Sequence, residues 1–143
     1  MNADPLTTPE IAWPKVPPKI FLTEGLLPFA NAKEFVFFRD KKYFPLLRIE
    51  CATVNLSFVL TEPKWVPVEY QPVFSTADLT ELGLRQEDEY VVLLIVNLNR
   101  GLEEATVNLT GPLLINLKTG AAKQVVPLNY ANYSCRHKLL KEK

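Results

Sequence analysis

From Ile20 onward the chain is a succession of short runs rich in Phe, Val, Ile and Leu, each soon broken by turn residues. Side chains that branch at Cβ or carry rings fill a pleated surface well and lose rotamer freedom in a helix, so such runs read as strands. Residues 34–39 (Glu-Phe-Val-Phe-Phe-Arg) form one, closed by the polar turn Asp40-Lys41-Lys42, and 46–52 form another. In 55–61, Leu56, Phe58 and Leu60 recur at every second position, which puts all three on one face. Residues 89–96 are nearly all apolar and suit a central strand covered on both sides. Runs 105–109 and 113–116 follow. Lys118-Thr119-Gly120 then turns the chain into 123–126, a hairpin in which Gly120 supplies positive φ. Pro63 and Pro67 frame Trp65 and Val66 and mark an edge or irregular stretch.

One short helix is expected: Ser75 and Thr76 offer capping hydroxyls, Asp78 is an early acid, Leu79 and Leu82 share a side, and Gly83 stops it. Many short strands with one small helix predict a mainly β chain, a small antiparallel β-barrel-like domain. Closing the sheet removes edges that would template aggregation. Residues 1–19 carry Pro5, Pro9, Pro14, Pro17 and Pro18 and read as an extended arm, with Trp13 and Ile11 available to pin it; 20–143 form the single domain. The basic tail 136–143 reads as a fraying end.

Charge and residue counts exclude several function classes. Lys+Arg 16 balance Asp+Glu 16, without the basic surplus of a dedicated nucleic-acid binder. The longest apolar run, 90–96, falls far short of the roughly 20 residues of a membrane span, and the start of the chain has no readable secretory signal. Cys51 and Cys135 make no disulfide framework, consistent with a cytoplasmic chain. No two of the 5 glycines lie close enough to cradle a phosphate, and the single histidine, His137, rules out a His-rich metal site, so no cofactor or metal is expected.

A Cys-x-His pair, Cys135 and His137, would need two further ligands for tetrahedral zinc, and no nucleophile motif surrounds Ser57, Ser75 or Ser134. A hydrolase using His137 is the third choice of function; a surface or capping histidine is the plainer reading. Glu87-Asp88-Glu89 and Glu103-Glu104 are either solvated turns or patches that steer a basic partner. Trp65, Tyr70, Phe74, Tyr130 and Tyr133 fall at loops or strand ends, where aromatics cap barrel openings or anchor partners.

The stretch 104–116 (Glu-Ala-Thr-Val-Asn-Leu-Thr-Gly-Pro-Leu-Leu-Ile-Asn) resembles the most recognisable segment of the flagellar assembly factor FliW family. Gln124-Val125-Val126 and Tyr133-Ser134-Cys135-Arg136-His137-Lys138-Leu139 resemble that family's closing pattern, and Glu24-Gly25-Leu26-Leu27-Pro28-Phe29 its early turn. Pro28 and Ala30 stand where the family commonly has Gly and an acid. The resemblance implies a monomeric cytoplasmic β-barrel-like interaction protein, not an enzyme. Such a protein binds flagellin and, alternately, the translational regulator CsrA, antagonising repression of flagellin synthesis without itself touching nucleic acid or membrane. The partner surface is placed at Glu62, Glu69 and Tyr70, with Glu103 and Glu104 as second choice. A barrel that binds a small ligand in a concave apolar pocket is the alternative.

Overall fold

The structure, a computed structural model, describes residues 13–24, 31–85 and 88–140. The suggested pin Ile11, residues 25–29 of the early turn, Ala30, Glu87 and the last three residues lie outside them. In chain order the elements are β1 (Lys19–Leu22), β2 (Glu34–Arg39), β3 (Leu47–Cys51), β4 (Ser57–Thr61), α1 (Thr76–Glu81), β5 (Tyr90–Asn97), β6 (Thr106–Val107), β7 (Leu113–Asn116), β8 (Ala121–Gln124) and β9 (His137–Lys138). The sheet runs β4-β3-β2-β1-β8-β7-β5, and β5 pairs back onto β4. Seven strands therefore close a barrel. All of its pairings are antiparallel except β1 with β8, where Phe21 faces Ala121 and Leu22 faces Ala122 in parallel register.

β5 makes the closure possible. One edge meets β4 through Leu94, Ile95 and Val96. Its other edge is shared: residues 90–93 pair with β7, and residues 96–97 pair with β6, which in turn carries β9. Neighbouring side chains on a strand point to opposite faces. Leu93 accordingly belongs to the barrel core, Leu94 to a second core outside the wall, and both are fully buried. The expectation of a strand covered on both sides is met.

The barrel interior is solid. Every one of its strands sends side chains inward at period two: Ile20 and Leu22, Phe35 and Phe37, Leu47 and Ile49, Leu60, Leu93, Leu113 and Ile115, and Ala122. Leu56 and Phe58 pack against the same cluster as Leu60, as their alternation requires. The outer core of Val66, Leu94, Val96, Val107, Leu109 and Leu139 covers one flank, and Leu82, Leu84, Leu114 and Val125 lie beneath α1 on another. Burying a Leu-sized side chain contributes about 1.5–3 kcal/mol each, so three such clusters hold the chain together without disulfides.

Local signals fix the joins. The Ser75 hydroxyl accepts the Asp78 N–H at 3.1 Å, and Gly83 takes φ +69° just past the end of α1. Lys123 of β8 donates from Nζ to Asp78 Oδ1 at 2.8 Å and Glu81 Oε2 at 2.5 Å, strapping the helix to the wall; these two bonds hold its ammonium well above the usual lysine range. In the β7–β8 hairpin Asn116 is buried but satisfied: its Oδ1 accepts the N–H groups of Lys118 (2.9 Å) and Thr119 (3.3 Å), while Nδ2 donates to the Leu82 carbonyl (2.9 Å). Strand β8 begins directly after Gly120, two residues earlier than expected, and ends at Gln124, with the Val125 N–H still donating to the Pro112 carbonyl in the same register.

Residues 13–16 and 136–140 are held more firmly than proline content and charge suggest. Trp13 meets Phe44 edge-on at 5.0 Å and packs with Val16 against the barrel core, and Lys15 pairs with Glu89 at 3.8 Å. The tail is not frayed over residues 136–140: His137 and Lys138 pair with Val107 and Thr106, and Leu139 is buried. Leu139 enters the outer core, and that burial outweighs the basic surroundings that suggested a loose end.

Gly120 separates conformational strain from crowding. Its φ is +81°, and an added Cβ would lie 2.9 Å from the Lys19 carbonyl, whereas Gly101 (φ +84°) has nothing within 4 Å. Gly101→Ala is expected to cost about 1–2 kcal/mol from backbone conformation alone, and Gly120→Ala measurably more. Urea unfolding of both variants checks this; equal losses would show that the β1 backbone gives way to the methyl group.

Candidate interaction surface

Three 3-10 turns crowd one end of the barrel. Lys41–Tyr43 is capped by the Asp40 carboxylate, which accepts the Lys42 N–H at 3.0 Å. Pro63–Trp65 begins on a proline, whose fixed φ suits a first helical position, and Leu102–Glu104 follows Gly101 at positive φ. Each turn exposes a large apolar side chain: Tyr43, Trp65 and Leu102. With Phe44, Leu46, Leu98, Leu139 and Leu140 they line a groove of about 540 Å³. A second groove of about 630 Å³ shares Tyr43, Leu46 and Leu98 as its wall and adds Phe38, Arg39, Lys41 and Arg48. Together they form one apolar trough with a basic shoulder.

The trough walls are braced by aromatic contacts. Phe44 sits between Trp13 and Trp65, at 5.0 and 5.7 Å in edge-to-face geometry. Lys64 Nζ stands 5.3 Å from the Trp65 ring, Lys42 Nζ 5.5 Å from Tyr43, and the Arg48 guanidinium 4.7 Å from Phe38. Cations over ring faces keep their charge in water while their stems cover apolar surface. Contiguous exposed apolar area of this kind, rimmed by charge, marks a place where another macromolecule sits.

The acids singled out from sequence divide between two places. Glu62 stands at the N-cap position of the Trp65 turn without a side-chain cap bond, and Glu103 and Glu104 lie on the turn that contributes Leu102, so all three adjoin trough residues in sequence, while none of their side chains is among the trough's lining. Glu62 also faces a cleft with Asp88, Glu89 and Lys15. Its Oε1 is buried without a hydrogen bond, with Lys64 Nζ 3.7 Å away. Asp88 accepts the Arg85 N–H at 2.7 Å, which holds its carboxyl below the usual carboxylate range. Glu69 and Tyr70 lie on a different segment. Glu69 is exposed and accepts from Gln71 Nε2 at 3.4 Å. Tyr70 donates its hydroxyl to the Leu109 carbonyl at 2.8 Å and meets Tyr133 edge-on at 4.8 Å, and the Tyr133 hydroxyl accepts the Gln71 N–H at 2.9 Å.

Sequence reasoning passed over Tyr43, Leu102 and Leu140. The readable signal was a large apolar residue inside an otherwise polar turn or basic tail, where solvation alone gives it no purpose. Among the described residues no three His, Cys, Asp or Glu side chains gather to hold a metal ion, and no helix is long and apolar enough to cross a membrane. His137 sits on β9 with Nδ1 2.8 Å from the Lys138 carbonyl oxygen. The interior that a ligand-holding barrel would leave hollow is filled by the inward rows of side chains.

Burial, and secondarily the neighbouring Tyr133, push the Tyr70 phenol above its usual range. The fold therefore favours neutral Tyr70: this contribution to stability is complete below the ordinary phenol pKa of about 10 and is lost as pH rises through the higher folded value. In an alkaline titration followed by phenolate absorbance, Tyr70 is expected to ionise last. Tyr70→Phe should remove the late part of the rise and leave the early part intact; loss of the early part would show a solvated phenol.

The FliW protein family model matches residues 4–139 of the chain. Flagellar assembly factor FliW of Borreliella burgdorferi (strain ZS7) is 35% identical over 120 residues, covering 83% of this chain and 91% of that one. The Thermotoga neapolitana protein of the same description is 35% identical over 123 residues, covering 83% and 80%. A crystal structure of the flagellar assembly factor FliW superimposes with a TM-score of 0.77 at 26% identity, over 88% of each chain. Family model, relatives and fold agree: the chain belongs to the FliW family.

Proposed function

We propose that this chain is a non-enzymatic flagellar assembly factor that binds flagellin and, alternately, the translational regulator CsrA, relieving CsrA repression of flagellin synthesis. The observation that carries the reading is the apolar trough on the outside of a barrel whose inside is filled. Trp65, Tyr43 and Leu102 are the anchors, since buried aromatic and aliphatic side chains dominate interface energy. Glu62, Glu103 and Glu104 on or beside the turns that form it, with Glu69 beyond, supply negative potential that steers a basic RNA-binding protein into place, and Tyr70 adds a neutral aromatic contact next to Glu69. The protein works as a cytoplasmic monomer, where new flagellin and the regulator meet.

Switching then follows from competition. One surface that takes either partner but not both distributes itself by their free concentrations and affinities. Flagellin at about a hundredfold over its Kd lowers the apparent affinity for CsrA about a hundredfold, with no conformational change required.

Calorimetric titration with flagellin and with CsrA from the same organism is the test. Micromolar binding to each is expected, and prior saturation with flagellin should abolish the CsrA heat. The double substitution Trp65→Ser and Leu102→Ser should weaken trough binding at least about tenfold, and Glu69→Lys or Glu104→Lys should weaken CsrA alone. Absence of heat with both partners at tens of micromolar would reject the proposal.

A further inference from the structure

A separate groove, of about 670 Å³, lies where β5 leaves the barrel. The register of three strands builds it. Asn97 of β5 faces Thr106 of β6, and Thr106 faces Lys138 of β9, so these side chains form one row across the sheet. The next row, Val96, Val107 and His137, points the other way, its two valines buried in the outer core. Asn97 shares its side of β5 with Leu93 and Ile95, which pack in or against the barrel core; past the last barrel pairing this side is uncovered. Arg136 and Arg100 stand at the margins of the row.

The groove is locally basic on a neutral chain. Arg100, Arg136 and Lys138 are exposed, and none is in an ion pair among the described residues; Glu104 is the one acid on the lining. The cations are set by local structure: the Ser134 hydroxyl accepts the Arg136 N–H at 3.0 Å, and Lys138 is held in the β6–β9 ladder. Asn97 Oδ1 accepts the Asn99 N–H at 2.9 Å, which fixes the amide with its Nδ2 donor turned away from that bond. Guanidinium forks and free amide donors match carboxylates and peptide carbonyls. Among the described residues no aromatic ring lines the groove, and stacking on rings is a principal means of holding single-stranded nucleic acid. The Glu104 carboxylate opposes a uniform run of phosphates.

We propose that this groove binds a carboxylate-rich, extended segment of a partner protein, with Arg136 and Lys138 as the principal contacts and Glu104 limiting how far the acidic stretch extends. The site is separate from the apolar trough and does not depend on the identity of the partners proposed there.

The probe is a fluorescein-labelled peptide of about ten residues alternating Glu and Ser, followed by anisotropy with the full chain. Binding below about 1 mM that weakens several-fold between about 50 and about 300 mM NaCl is expected. Arg136→Ala with Lys138→Ala should weaken it at least about tenfold, with an unchanged thermal melt, because both side chains are exposed. Glu104→Gln should tighten it about two- to fivefold, opposite in sign to the effect of Glu104→Lys on CsrA, so this proposal and the partner switch fail by different readings. Equal binding by the double variant, no binding at about 1 mM, or tighter binding of an oligouridylate or of inorganic phosphate than of the peptide would each overturn the assignment.

Discussion

Strand β5 carries the architecture because it is used on both faces and both edges. Leu93 points into the barrel and Leu94 out of it, and both are fully buried. Its shared edge passes from β7 to β6 between residues 93 and 96, so one strand closes the barrel and also launches the β6–β9 extension. A polar residue at any inward position would leave an unpaired group against a packed interior, at a cost of about 1–3 kcal/mol. With every barrel strand filling the interior, the ends and the outer surface are what the barrel leaves for a partner to meet.

The turns at the barrel end show how such a surface forms without weakening the fold. Each 3-10 turn is held by backbone bonds and local devices, the Asp40 cap, Pro63 or positive-φ Gly101, that involve none of the exposed apolar side chains. Tyr43 and Leu102 are thus free to vary with a partner while the strands beneath stay fixed. Trp65 differs in being buttressed: the stack Trp13–Phe44–Trp65 ties it to the segment that precedes β1, giving a rigid anchor at little entropic cost on binding.

Period two was readable from residues alone wherever a strand was long enough to repeat it. Leu56, Phe58 and Leu60 announced their face, and Ser75, Gly83 and Gly120 announced a cap and two turns through side-chain chemistry that acts over a few residues. β6 was legible inside the run 105–109, though only Thr106 and Val107 of it pair; β9 escaped because a two-residue strand has no period, and His137–Lys138 is a strand only because β6 lies beside it. The tail was misread for the same reason: the burial of Leu139 depends on residues more than thirty positions away, and its neighbours in sequence are basic. Sequence also separated Glu62 from Glu103 and Glu104 by some forty positions, whereas barrel closure through β4 and β5 places their turns on one trough.

The segment 136–140 links the two grooves. Arg136 and Lys138 line the basic one, and Leu139 and Leu140 line the apolar trough, on a short segment joined to the sheet by only two residue pairs. A ligand in either groove as proposed would contact the same short segment. Fixing it in one position favours the second ligand if both need that position and opposes it if they need different ones. The coupling is bounded by the difference in each ligand's affinity for the two arrangements, and by linkage it is the same in both directions. A two-pair ladder is weak enough to be shifted by such a difference, whereas the barrel strands, each packed into the filled interior, are not. Coupling between the two proposed sites would therefore run through the two-residue strands β6 and β9, while β5, the longest strand, would stay fixed.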